Sequence, residues 1–184
     1  MLFFYFSLKK RCSIGNKEVD LNSIKEPMER QTWPSKMQYA LSIGGCLLVA
    51  VIGRFFTDQS INDWYPTLNK PHLTPPEWIF PVVWPILYVM MGVALALVWK
   101  KRAAFFSYFI FGVQLFLNFI WSYLFFTLRS PFLGLVDIIG LNIAILLTIY
   151  FFKKSSSLAG WLLVPYLFWV FFATYLNAWI WLYN

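Results

Sequence analysis

Apolar residues in this chain fall in long unbroken runs, without the alternation that marks a half-buried strand or the polar stripe of a surface helix. The stretch from Met37 to Gly53 carries no charge, and its helix is expected to continue past Arg54 to Phe56, with the guanidinium reaching back to the interface. Phe80 to Trp99 and Ala103 to Leu128 are likewise free of charge. Ser130 to Phe152 holds only Asp137, and Ser155 to Asn184 holds none. A bilayer core about 30 Å thick takes roughly 20 apolar residues at a rise of about 1.5 Å each. The pattern therefore predicts an all-α membrane protein, a bundle of five transmembrane helices over residues 37–184. A membrane β-barrel would show segments of about ten residues with apolar and polar positions alternating. Runs such as LALVW and FLGLV do not alternate.

Composition agrees with that class and removes two others. Hydrophobic residues make up 60%, aromatics 22% and charged residues 12%, with a mean hydropathy of +0.62. A soluble domain carries about 25% charged residues, and a disordered chain needs low hydrophobicity. The formal net charge of +7 is distributed by side. Lys9, Lys10, Arg11, Lys17, Lys25, Arg30, Lys36, Lys100, Lys101, Arg102, Lys153 and Lys154 fall at one set of helix ends, against Arg54, Lys70 and Arg129 at the other. Retained loops are the basic ones, so the N-terminus is expected inside a bacterial cell membrane and the C-terminus outside. A mitochondrial or other organelle membrane is the alternative. The charge reads as topology and as attraction to anionic membrane lipid, with no nucleic-acid partner.

Residues 1–36 read as a polar and basic extension of little structure. Alternatively they precede a working start at Met28 or Met37. MLFFYFSL comes before KKR, the reverse of a secretory signal, and Glu18, Asp20, Glu26 and Glu29 are unlike a mitochondrial transit peptide. Conventional chemistry has few candidates. Cys12 and Cys46 lie in different contexts, His72 is the only histidine, and no cluster has metal-ligand spacing. No metal and no required cofactor are expected.

The segment from Thr57 to Trp78, TDQSINDWYPTLNKPHLTPPEW, is long for a loop between spans. Pro66, Pro71, Pro75 and Pro76 restrict its backbone, and Trp64, Tyr65 and Trp78 supply rings for packing. It reads as a fixed lid centred on Trp64, Tyr65, Lys70, Pro71, Pro75 and Pro76, or as part of an interfacial aromatic belt. Inside the spans, three stripes stand at helical spacing: Trp84, Tyr88 and Met91; Gln114, Asn118 and Trp121; and Tyr166, Trp169, Ala173 and Asn177, beyond a kink expected at Pro165. Polar side chains are costly in hydrocarbon and should face the bundle interior. There Gln114 and Asn118 serve as interhelical hydrogen-bonding groups or as ligand contacts. Asp137 serves as a structural acid or a site residue, and the tryptophans as packing or as stacking platforms. Converging on one place, the stripes describe an apolar cavity with a few polar groups, which suits a flat aromatic ligand.

The run WYPTLNKPHLTPPEWIFPVVWPILYVMMGVALALVW resembles the signature of the translocator protein family, also called the tryptophan-rich sensory proteins (TspO/MBR). VQLFLNFIWSYLFF, GLVDIIGLN and WLLVPYLFWVFFATYLN are similar to its third, fourth and fifth helices. The resemblance implies a pocket among five helices that takes a porphyrin or related tetrapyrrole, such as protoporphyrin IX or haem, and in some members cholesterol or drug-like ligands. The positions matching that pocket are Trp84, Tyr88, Gln114, Asn118, Trp121, Asp137, Tyr166 and Trp169. It also implies, for some bacterial members, light-dependent porphyrin degradation at tryptophans matching Trp84 and Trp169. Three roles follow as expectations: a porphyrin-binding sensor, regulator or carrier in tetrapyrrole metabolism; a light- and oxygen-dependent porphyrin-degrading enzyme; and a transporter, which the lack of an internal repeat or charged relay disfavours. Two departures bear on the ligand. Leu73 stands where many members have a loop tryptophan, and no basic residue follows Lys154 to complete a sterol motif. The resemblance further implies a homodimer. Gly92 with Ala96, and Gly140 with Ala144, allow close helix approach within a protomer or between two.

Overall fold

The computed structural model describes residues 11–14, 17–20, 35–58 and 60–184, in two compact units, residues 1–34 and residues 35–184. In the first unit, strands β1 (Arg11–Ile14) and β2 (Lys17–Asp20) pair antiparallel with Arg11 opposite Asp20 and Ile14 opposite Lys17. The start-site alternatives at Met28 and Met37 concern a stretch that lies mostly outside the described residues.

The second unit is helical. It comprises α1 (Ser35–Asp58), α2 (Ile79–Lys100), α3 (Phe105–Ser122), α4 (Pro131–Ser155), α5 (Ser157–Leu162) and α6 (Val164–Tyr183). Five segments are long and apolar enough to cross a membrane, with α5 and α6 forming the last of them. The five predicted spans are thus present, each within a few residues of its charge-defined limits. The last span breaks at Leu163, two residues before Pro165. A proline lacks the N–H that the fourth carbonyl back would accept, and its ring crowds that carbonyl.

Short connections are held by side chains. Ser130 Oγ accepts from the Leu133 N–H (3.3 Å) with Pro131 in the first turn, so α4 starts on a serine cap followed by a residue with no donor to satisfy. Ser156 closes α4 through its own N–H to Phe152 O (2.7 Å) and caps α5 through its hydroxyl to the Ala159 N–H. Arg102 and Arg129 take left-handed backbone angles (φ 51° and 50°) in the α2–α3 and α3–α4 turns.

The core runs along the bundle axis. Cys46, Met91, Val98, Leu141, Ile145 and Phe152 are among its buried members, and the Phe111 and Phe152 rings stack at 5.5 Å. Leu48, Val51, Phe105, Phe116, Ile143 and Leu182 lie exposed on the outside, as a lipid-facing surface requires. Helix α2 packs between α1 and α5, while α4 packs on α3, α5 and α6. Gly92 sets the first of these contacts, since a Cβ there would stand 2.5 Å from Ile43 Cα. Gly140 faces Leu117 of α3. Of these two, only Gly92 is therefore required by packing within the protomer, since at Gly140 a Cβ would meet that one side-chain atom at an ordinary 3.9 Å.

Beyond Ser122, α3 widens into a π-helical turn, Tyr123–Thr127, closed by the Leu128 N–H to Tyr123 O (3.0 Å). The wider turn lets the adjacent Phe125 and Phe126 both be buried. With Tyr65 and Ile180 they form a second aromatic cluster beneath the long loop.

Candidate functional site

Three helices meet in one buried hydrogen-bonded chain. The Tyr88 hydroxyl of α2 donates to Asn118 Oδ1 of α3, and Asn118 Nδ2 bonds the Tyr166 hydroxyl of α6 at 2.9 Å. All three residues are buried, Tyr166 completely. A carboxamide suits this place because it offers an acceptor and a donor on one rigid plane, and so accommodates two phenols. One turn earlier on α3, Gln114 Nε2 contacts Met91 Sδ of α2 at 3.9 Å. Helical spacing thus delivers Tyr88 with Met91, and Gln114 with Asn118, to a common interior face.

Several polar atoms around this chain have no hydrogen-bond partner among the described residues. They are Gln114 Oε1, Asp137 Oδ2 and Trp169 Nε1, all buried. Lone acceptors and an unpaired indole N–H inside an apolar bundle carry a desolvation cost, so a polar ligand able to reach them would recover it. Aromatic rings border the same region. Trp84 leans on Tyr88 with ring centroids 5.9 Å apart, and Trp169 meets Phe80 edge-on at 5.8 Å. Trp84, Trp169 and Ala173 are partly buried against the central core. Phe80 was not apparent as a site residue in the sequence. Its signal is its place one helical turn before Trp84.

Trp121 has a different role from its stripe neighbours. Its indole N–H donates to Asn177 Oδ1 of α6 (3.1 Å), and Asn177 Nδ2 donates to Pro131 O (2.7 Å) at the start of α4. Its ring stacks on Phe125 at 5.1 Å. Trp121 therefore joins the central core to the aromatic cluster below the loop, with its donor already used. Gly134 leaves room for this, because a Cβ there would lie 2.9 Å from Asn177 Oδ1. Trp121→Phe is expected to keep the ring packing but lower stability by about 0.5–1.5 kcal/mol, checked by thermal unfolding in detergent.

The first half of the long loop is fixed. Trp64 and Tyr65 pack on Phe125, Tyr65 also on Phe126, and the Lys70 ammonium sits 4.5 Å from the centre of the Tyr65 ring. Burial, and then the Glu77 carboxylate, push the Tyr65 hydroxyl above its ordinary pKa, so it stays neutral in the physiological range. The Asn69 N–H bonds Asn184 Oδ1 (2.8 Å), and Asn184 Nδ2 returns a bond to Asn69 O (3.2 Å). Pro71 is buried and its carbonyl accepts from the Thr74 N–H and hydroxyl. The second half is more open: Pro75 is half-buried, while His72, Leu73, Pro76 and Trp78 are exposed. Among the described residues no group of His, Cys, Asp or Glu has the proximity to hold a metal.

The family model of the TspO/MBR family matches residues 42–182. The chain belongs to the TspO/MBR family. Its match reaches into all five spans and includes every pocket residue named above. It is 50% identical over 142 residues to a tryptophan-rich protein TspO of Chlorobaculum tepidum, covering 75% of this chain and 90% of that one. To the TspO of Archaeoglobus fulgidus it is 42% identical over 156 residues, 80% and 97% of the two chains. To the human translocator protein it is 35% identical, covering 81% and 89%. This TspO/MBR member is therefore a multi-pass membrane protein, and its relatives carry the names of sensory and translocator proteins.

Proposed function

We propose that this protein binds a porphyrin or related tetrapyrrole, protoporphyrin IX or haem, between α2, α3 and α6 beneath the long loop, and acts as a sensor, regulator or carrier in tetrapyrrole metabolism. The supporting observation is the Tyr88–Asn118–Tyr166 chain, bordered by the Trp84 and Trp169 rings and by unpartnered polar atoms of Gln114, Asp137 and Trp169. A flat conjugated ligand gains from ring faces, and a few fixed polar atoms orient it. The basic residues at one set of helix ends support a bacterial cell membrane with the N-terminus inside. Homodimerisation is part of the same proposal. Since Gly92 serves a contact inside the protomer, a partner would meet other surfaces.

The Trp169 indole, half-buried with its N–H unpaired, favours one second reading, light- and oxygen-dependent porphyrin degradation at Trp84 and Trp169. An excited porphyrin is an oxidant, and indole is among the more easily oxidised side chains.

Titration of the purified protein with protoporphyrin IX in the dark is expected to give saturable quenching of tryptophan fluorescence. Absence of saturation would remove the binding proposal. Subsequent illumination separates the two readings. An unchanged Soret band leaves binding alone, whereas bleaching that is lost in Trp84→Phe and Trp169→Phe marks the enzyme.

A further inference from the structure

The two faces of the helical unit differ in charge balance. One face carries the start of α1 and the α2–α3 and α4–α5 turns. It holds Lys36, Lys100, Lys101, Arg102, Lys153 and Lys154 and, among the described residues of this unit, no carboxylate. The other face sets Arg54, Lys70 and Arg129 against Asp58, Asp63 and Glu77. Topology alone requires basic residues on the first face, but it does not require any of them to be held in place.

Lys153 is held in place. Its stem lies across Gly160 of α5, where a Cβ would stand 2.2 Å from Lys153 Cγ. Its ammonium rests 4.0 Å above the centre of the Trp161 ring, and the neighbouring Lys154 ammonium lies 4.3 Å from that of Tyr150. A ring face occupies one side of an ammonium and leaves N–H donors free for an anion. Beside this cation, Leu158 and Trp161 of α5 are 60% and 59% exposed, and Phe168 farther along the span is 68% exposed. An oriented cation, with no carboxylate on its face among the described residues of this unit, therefore adjoins at the membrane rim an apolar surface that continues into the hydrocarbon.

We propose that Lys153, supported by Gly160 and Trp161 and assisted by Lys154, binds the phosphate of an anionic phospholipid whose acyl chains lie along Leu158 and Trp161. A zwitterionic lipid would bring its own cation among the six basic residues described on this face, which favours a headgroup with net negative charge. The site is independent of what binds between α2, α3 and α6.

Native mass spectrometry of the full chain, with phosphatidylglycerol and phosphatidylcholine of matched acyl chains, tests this. Retention of phosphatidylglycerol should exceed that of phosphatidylcholine. Lys153→Gln should weaken it about fivefold, the factor corresponding to about 1 kcal/mol per basic residue near an anionic surface. Gly160→Ala should act in the same direction by displacing the lysine stem, Lys153→Arg should retain most binding, and Arg54→Gln on the opposite face should leave lipid retention unchanged. Equal retention of the two lipids would overturn the proposal, as would a loss in Lys153→Gln no larger than in Arg54→Gln. Displacement of the lipid by equimolar inorganic phosphate would assign the site to a free anion and overturn it as well.

Discussion

Asn118→Leu is expected to weaken porphyrin binding at least about tenfold, equivalent to about 1.4 kcal/mol, and to lower the thermal midpoint. Leucine has the same number and branching of side-chain heavy atoms as asparagine, though it is bulkier, and it offers neither the acceptor for Tyr88 nor the donor for Tyr166. Two phenols on separate helices then remain buried without their partner, at a cost of about 1–3 kcal/mol each by soluble-protein measurements and about 0.6 kcal/mol by measurements in membrane bundles. The ligand effect follows from geometry. The amide couples α2 to α6 through α3, so its loss frees the helices that present Trp84 and Trp169. Dark quenching titrations of the variant beside the parent protein, each followed by a melt, separate the two effects.

Gly92→Leu is expected to prevent α1 from seating on α2. A Cβ at Gly92 would meet Ile43 Cα at 2.5 Å and Ile43 N at 2.9 Å. Those are backbone atoms, which cannot rotate aside as a side-chain end can, so the helix itself must shift. Overpacking of this kind costs about 1–3 kcal/mol, and more where backbone must move. Gly45→Leu on α1 provides the contrast, because nothing lies within 4 Å of a Cβ there and the side chain would enter lipid. The first variant should unfold well below the parent protein in detergent, and the second should stay within about 0.5 kcal/mol of it. Equal melting of the two variants would mean that the α1–α2 contact is looser than the geometry indicates.

Much of the bundle can be read from the chain because a bilayer makes charge costly. Arg54, Lys100 with Arg102, Arg129 and Lys153 mark span ends that the helices observe within a few residues. Helical spacing likewise identifies Gln114 with Asn118 and Trp84 with Tyr88, since sharing a face is a local property. Partner choice is not local. Trp121 shares the Asn118 stripe, yet it bonds Asn177 and stacks on Phe125, because the π-helical turn after Ser122 and the gap at Gly134 open that side to it. The pairing of Asn69 with Asn184 across 115 positions, and of Lys153 with Trp161, depends on how helix ends meet, which no spacing within one helix records. The small-residue pairs show the same limit. Gly92 and Gly140 both allow close approach in the sequence, while only the fold shows that Gly92 is pressed against α1 and that Gly140 has room for a Cβ beside Leu117 of α3.

A tetrapyrrole is proposed to occupy the space bordered by Trp84, Asn118 and Trp169. Photo-crosslinking tests it most directly: a diazirine-bearing protoporphyrin bound in membranes, activated at a wavelength that spares the macrocycle, then proteolysis and mass mapping of the adducts. Adducts are expected on the α2, α3 and α6 peptides that contain Trp84, Asn118 and Trp169, competed away by unmodified protoporphyrin IX. Adducts confined to the exposed His72–Trp78 half of the loop, or to the lipid-facing residues Phe105, Phe109 and Phe116, would contradict it.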